Sequence, residues 1–458
     1  MANSRKLKSD LVKRVSSTLT SVVPSGSSLL VALSGGVDSV VLLHLLHQIS
    51  PSFSLRLSAL HVHHGISRHA DSWENFCIEL CTKYTIPLQI ERVDIVPLRD
   101  LGIEAAARQL RHAALARQQV DFIALAHHRD DQVETLLLQL LRGAGVRGCS
   151  AMPVLKQRKD APALLRPLLE VSRSELEMYA QKNTLHWVED DSNEDVSYPR
   201  NFLRHRVLPE IAKCFPSYRS TVTRSASHFA EASALLDELA IQDAASAVQN
   251  ERLSVAALRQ LSNARGKNLL RYFLTQQDAP LPDTTRLIEM LRQLCDAGEG
   301  AQIRITWQDW QLRCYQDYAY AMPTTLPAVD FEIVWQGEEE ITLPASHGTL
   351  CFQQVVGHGL KLDRLKQDKV LIRPRRGSEN IQLNKTRPRQ SLRNLLPQMG
   401  VPPWQRDLLP LLFCGNELVC IPGLASAEHY WAKENEAGVL VHWRYWTKIQ
   451  TEHLHIES

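Results

Sequence analysis

Short apolar runs alternate with amphipathic stretches from Leu29 to about Ala151, and this alternation predicts a parallel sheet wrapped by helices. The candidate strands are Leu29–Leu33, Leu57–Val62, Leu88–Val93 and Phe122–Ala126. Candidate helices are Val40–Gln48, Asp71–Tyr84, Glu104–Gln118 and Asp131–Arg142. Leucine and alanine then recur at helical spacing through Ala232–Ala240, Leu253–Leu274 and Thr285–Leu294. Strand-like alternation returns over Ala301–Tyr320, Pro323 to Pro327 reads as a linker, and Phe331–Trp446 is mostly strand patterned with one helix near Leu392. The expected fold class is α/β. A parallel-sheet nucleotide-binding domain over 1–215 is followed by a mainly helical domain over 216–325 and a small α+β, mostly β, C-terminal domain over 330–450.

Ligands of open parallel sheets sit beyond the carboxyl ends of the strands, so the residues after each strand carry the chemistry. After the first strand comes Ser34-Gly35-Gly36-Val37-Asp38-Ser39. Paired glycines before a helix start let the backbone approach an anion closely, free N–H groups face it, and both serines can donate to phosphate oxygens. Asp38 would repel such a phosphate unless a hard cation lay between them, which points to Mg²⁺. The plain alternative is a helix N-terminus with capping serines and an aspartate favoured by the dipole. No GxxxxGK[ST] occurs, which excludes the kinase or GTPase type of loop.

The second strand runs into His61-Val62-His63-His64-Gly65, and the fourth into Ala126-His127-His128-Arg129-Asp130-Asp131-Gln132-Val133-Glu134. No second set with metal spacing accompanies the histidines, so they read as pocket walls, His64 among them. Asp131 and Glu134 lie three apart at a helix start, on one face, where they suit a shared cation or an incoming amine; the same spacing fits a capping box. Glu104, Arg108 and Arg111 make one charged helical stripe, either a solvated ion pair or an arginine pair facing a polyanion. Trp187 to Asn193 is an acidic loop, followed at once by Arg200, Asn201, Arg204 and Arg206: carboxylates for an amine, guanidiniums for phosphate.

Bulk properties add little. The 458 residues suit about three domains, and a net charge of +2 does not announce nucleic acid, so any such contact is local. The strongest local concentration is Arg373, Arg375, Arg376, Lys385, Arg387, Arg389 and Arg393, with Glu379 the one acid in that stretch; it reads as a phosphate-contacting patch. Nine cysteines without a CxxC pair suit a reducing cytoplasm, and Cys77 and Cys81 read as buried positions on one helix face. No signal peptide follows the basic first residues, and no run is long enough to span a membrane.

The strings SGGVDS, HVHHG, EAAARQLRHAAL, AHHRDDQVETLLLQLLRGAG, RPLL and EDDSNEDVSYPRNFLRHRVLP occur in the order of the tRNA(Ile)-lysidine synthetase family, which the chain resembles. The first resembles the PP-loop of the wider ATP pyrophosphatase superfamily. The likeness is strong over about 29–210 and extends to Ile372–Gly377, Pro402–Arg406 and Ile421–Leu424. It implies ATP and Mg²⁺ as cofactors, and as partners free L-lysine and a minor isoleucine tRNA with a CAU anticodon. In the implied reaction AMP is transferred to the C2 oxygen of the wobble cytidine and lysine then displaces it. On that resemblance Ser34–Ser39 would bind ATP, with Asp38 also a metal ligand; Asp38, Asp131, Glu134 and Arg108 would be catalytic. His64, Arg111, Asn193, Arg200, Asn201, Arg204, Arg373, Arg375 and Arg376 would bind substrate. A homodimer is one assembly left open, and a 2-thiocytidine synthetase type of enzyme is the rival reading.

Overall fold

A computed structural model describes residues 2–65, 67–97, 102–159, 161–298, 301, 303–324, 329–344, 347–384 and 388–444; for 2–10, 103–104 and 191–192 it describes the backbone only. The expectations on Glu104, Asp191, Ser192, Lys385, Arg387 and the linker at 325–327 therefore lie outside the described residues or side chains. The chain forms two compact units, residues 1–235 and 236–458.

Up to Lys182 the elements of the first unit are α1 (Ala2–Val22), β1 (Ser28–Ala32), α2 (Val37–Phe53), β2 (Arg56–His63), α3 (Ala70–Lys83), β3 (Leu88–Arg92), α4 (Ile103–Ala116), β4 (Phe122–Ala124), α5 (Arg129–Leu141), α6 (Val146–Cys149), β5 (Leu155–Lys156), β6 (Ala163–Leu165) and α7 (Arg173–Lys182). The sheet order is β3-β2-β1-β4-β6-β5, parallel except for the β5–β6 pair. All four expected strands and the helices after them are present within a few residues. Helix α2 begins earlier than expected, at Val37, because Gly36 already serves as its N-cap. Two elements carry little signal in the sequence. Helix α1 is rich in Ser, Lys and Arg, so its buried stripe of Leu11, Val15 and Leu19 is thin in apolar pattern. Strand β6 has only Ala163, Leu164 and Leu165, too few for periodicity to register.

The core lies on both faces of this sheet, and alternation along the strands divides it. Leu29, Val31 and Leu33 pack with α1, α2 and α7, whereas Leu30, Leu60, Ile123, Leu125 and Leu164 meet Leu115 of α4. The sheet's strand order reverses between β1 and β4, which makes the crevice at their carboxyl ends the expected ligand position.

The second unit holds a helical layer, Val255–Gln260, Asn263–Gln276 and Thr284–Asp296, packed with an antiparallel sheet that includes Arg304–Trp307, Trp310–Tyr315 and Tyr318–Pro323. The helical spacing over Leu253–Leu274 is corrected at its start, where Leu253 sits in a strand, and it covers two helices, because Ser262 starts a new one by accepting from the Arg265 backbone N–H. Antiparallel strands and a helix over Leu392–Gln398 complete the unit around a separate apolar core.

Candidate active site

The loop between β1 and α2 has the shape the two glycines require. Gly35 has a φ of +89°, a left-handed conformation, and a Cβ there would stand 2.8 Å from Val188 Cγ2. The Gly35 carbonyl also accepts the Val188 N–H at 3.0 Å, so the segment Trp187–Asn193 is pinned over the loop. Ser39 Oγ donates to Gly36 O at 2.9 Å and lies 3.2 Å from Ser34 Oγ. Val37 is buried, and Asp38 follows it in the first turn of α2. Asp38 Oδ1 is buried without a hydrogen-bond partner, and Oδ2 lies 3.6 Å from His128 Nε2. An orphaned carboxylate oxygen beside free helix N–H groups fits a hard cation between protein and phosphate.

Across the crevice, α5 begins with His128 as its N-cap, and the His128 backbone N–H donates to Asp131 Oδ2 at 2.9 Å. This corrects the capping-box expectation: Asp131 is the acidic partner of a box begun at His128, and Glu134 lies one turn further in, 1 % exposed. Both carboxylates are taken up by guanidiniums. Arg200 donates from Nη2 to Asp131 at 2.7 Å and from Nε to Glu134 at 2.6 Å, while Arg204 grips Glu134 through Nε and Nη2 at 2.7 and 3.0 Å. Arg200 and Arg204 are i, i+4 on a helix that starts with Pro199 and passes into one π-helical turn over Leu203–Val207. His205 of that turn meets the Asn193 carbonyl at 3.0 Å, and Asn201 Nδ2 donates to the Asp195 carbonyl at 2.9 Å. Arg200 and Arg204, the guanidinium half of the expected bipolar site, are thus neutralised by Asp131 and Glu134 of α5, and Asn193 enters through its backbone.

Charge and burial set the protonation states. Burial pulls the Asp131 carboxyl upward, but His128 and Arg200 outweigh it and hold it below the usual carboxylate range. His128 is buried too; its three carboxylate neighbours Asp38, Asp131 and Asp130 overcome that burial and raise its affinity for a proton. His64 and His127 go the other way, down to about 4, first through burial and then through cations that include Arg111 for His64 and Arg166, Arg200 and Arg108 for His127. Their Nδ1 atoms are buried without partners. His61 is a structural residue, bonded through Nδ1 to the Leu33 carbonyl at 2.9 Å. Cys77 and Cys81 are buried as expected, and burial pushes the two thiols to about 12 and about 11.

Between about pH 4 and 6.5 the unfolded chain binds protons at His64 and His127 that the folded chain refuses, so stability falls as pH falls through that window. His128, raised when folded, loses its contribution only as pH rises above 6.5. Urea midpoints should therefore drop from pH 7 to pH 5, and the drop should be shallower in His127→Gln. An equal drop in that variant would show that His127 is not one of the groups responsible.

The sequence marks His127 and His128 only as pocket walls and assigns Arg166 no role. The signal was available: His127 and Arg166 each continue, at period two, the column of apolar residues that faces α4. In the second unit the basic patch is accompanied by acids, Glu379 from within the stretch and others from elsewhere in the chain. Arg373 pairs with Glu379 at 2.9 Å, Arg375 lies 3.7 Å from Asp407, Arg376 meets Asp330 and Glu332 at 3.0 Å, and Arg389 meets Glu417 at 2.9 Å. Arg373 also lies over the Phe413 ring. Trp404 is packed edge-on against Tyr315 and Tyr320 of the strands Trp310–Tyr315 and Tyr318–Pro323.

A family model for the PP-loop domain matches residues 7–211, one for the TilS substrate binding domain matches 253–320, and one for the TilS substrate C-terminal domain matches 370–443. The chain is 43 % identical over 447 residues to the tRNA(Ile)-lysidine synthase of Nitrosomonas europaea, covering 97 % of this chain and 98 % of that one. It is 36 % identical to the tRNA(Ile)-lysidine synthase of Coxiella burnetii, with 90 % and 92 % covered. Among solved structures, a U34-tRNA thiolase from Methanococcus maripaludis resembles 50 % of this chain and 80 % of its own at 17 % identity and a TM-score of 0.44. By its relatives, its three matched domains and its loop, the chain belongs to the tRNA(Ile)-lysidine synthase family.

Proposed function

We propose that this protein is a carbon–nitrogen ligase that converts the wobble cytidine of a CAU anticodon in a minor isoleucine tRNA to lysidine, using ATP, Mg²⁺ and free lysine in the cytoplasm. The observation that carries the reading is the buried, unpartnered Asp38 oxygen beside the Ser34–Ser39 loop at the strand-order reversal, in a chain whose relatives bear the lysidine synthase name over nearly their whole length.

The chemistry asks for two displacements. The C2 oxygen of cytosine is a poor leaving group; it attacks the α-phosphorus of ATP, and pyrophosphate departs. The ε-amine of lysine then forms a bond to C2, the C2–O bond breaks, AMP leaves and the amine gives up a proton. Ser34, Ser39 and the backbone N–H groups of the loop hold phosphate oxygens, and Asp38 is the residue that would hold Mg²⁺, which would offset charge building on the phosphates. Asp131 and Glu134 present carboxylates suited to the lysine ammonium, with Arg200 and Arg204 as the cations that an incoming ammonium must displace or share with. The cytosine must leave its stack to be reached, and the crevice between β1 and β4 is the place for it. The segments 1–215, 216–325 and 330–450 serve as catalytic domain and two tRNA-binding domains, with Arg373, Arg375 and Arg376 among the contacts of the last.

The test separates the two steps. With ATP labelled at the α-phosphate and lysine omitted, label should accumulate on the RNA; adding lysine should release it as AMP. RNA that never carries label would overturn the proposed order.

A further inference from the structure

On the α4 side of the sheet, the apolar columns end in polar residues. Ile123 and Leu125 run on at period two to His127, and Leu164 runs on to Arg166; the apolar members pack with Leu115 of α4, so His127 and Arg166 lie on this face. Arg108, Arg111 and His112 share one side of α4 at i, i+3 and i+4 and are exposed. Arg158 joins from the β5–β6 loop, its Nε donating to the Pro162 carbonyl at 2.7 Å. The result is a cluster of guanidiniums around His112, whose surrounding charges are those of Arg108, Arg111, Arg158 and Arg166.

Two of these guanidiniums are incompletely satisfied. Arg166 is 7 % exposed; its Nη1 donates to the Pro153 carbonyl at 2.9 Å, but its Nε is buried without an acceptor. Arg158 Nη2 is likewise buried and unpartnered. Among the described residues no carboxylate pairs with Arg108, Arg158 or Arg166, in contrast to Arg200 and Arg204 on the other side of the site. Buried donors without acceptors cost free energy, and an arriving anion offsets that cost.

We propose that this cluster seats the RNA phosphate backbone beside the target nucleotide, with Arg158 and Arg166 as phosphate ligands. The assignment rests on the tRNA reading above and adds two residues to it. Phosphodiester is favoured over the phosphates of ATP, because the Ser34–Ser39 loop already offers the nucleotide a cradle and Arg108, Arg111 and His112 lie exposed along α4, where a passing chain can reach them. A bound phosphate also screens His112 and His127 from the surrounding guanidiniums.

The experiment measures affinity of the full-length chain for a CAU anticodon stem–loop RNA across a salt series, beside KM for ATP and for lysine. Arg158→Gln should weaken RNA binding by about tenfold. It should also make the logarithmic salt slope shallower by about one, with both KM values unchanged. Arg158→Lys, which keeps the charge, should restore most of the slope; so should Arg166→Lys relative to Arg166→Gln. Unaltered RNA affinity in Arg158→Gln, failure of the lysine variant to restore it, or an effect on the KM for ATP alone would overturn the assignment. A wild-type chain that binds the stem–loop with the full slope but incorporates no lysine would instead overturn the reaction and leave the phosphate site standing.

Discussion

Glu134→Gln is expected to lower the unfolding free energy of the first unit by about 3 kcal/mol, the lower end of what removing one partner of a buried ion pair costs. Glu134 is 1 % exposed and accepts from Arg200 at 2.6 Å and from Arg204 at 2.7 and 3.0 Å. A glutamine is nearly the same size, but it replaces a carboxylate between two guanidiniums by a neutral amide, one end of which donates toward donors. Asp131 holds Arg200 but lies 3.6 Å from Arg204, so Arg204 loses its close anionic partner. Urea unfolding checks this directly. A second change, Arg204→Met in the Glu134→Gln background, should recover part of the loss by removing the stranded charge. Unchanged stability in the single variant would show that the pair contributes little to holding the 199–207 helix against α5.

Gly35→Ala should have the larger effect on activity. The alanine would have to keep a φ of +89°, which L-residues rarely adopt, and its Cβ would stand 2.8 Å from Val188 Cγ2. Relief of that clash moves either the loop or the segment that crosses it. An ångström of misplacement at a reacting centre costs on the order of a hundredfold, so lysine incorporation should fall by about that factor. The loss should appear in the KM for ATP as well, because the cradle itself shifts. The fold should survive, since the loop lies at the edge of the core rather than within it. A variant with near-normal rate and KM would contradict the placing of phosphates at this loop.

What the sequence made legible follows from how each signal is encoded. The strands and the glycine turn are local, and their spacing carries through to the structure; even the choice of carboxyl-end residues to watch follows from the parallel pattern alone. Partnerships across the chain are another matter. Arg200 and Arg204 lie 66 and 70 residues from Glu134, and nothing in either stretch says that they meet. The same is true of Arg376, which looks like part of a bare basic patch until Asp330 and Glu332 arrive from another strand region. Arg166 was visible within the RPLL string, yet its burial and its unpartnered Nε emerge only once β6 is placed beside β4. Helix α1 is hard to read for a different reason: its polar faces outweigh a narrow apolar stripe, and packing rather than propensity makes it part of the core.

That this chain joins lysine to one particular tRNA is tested most directly by incorporation of radiolabelled lysine. The purified protein, with ATP and Mg²⁺, is given isoleucine tRNA bearing a CAU anticodon and, in parallel, methionine tRNA with the same anticodon. Label is expected in the first alone, with AMP released in equal amount. Label in neither, or in both alike, would contradict the claim.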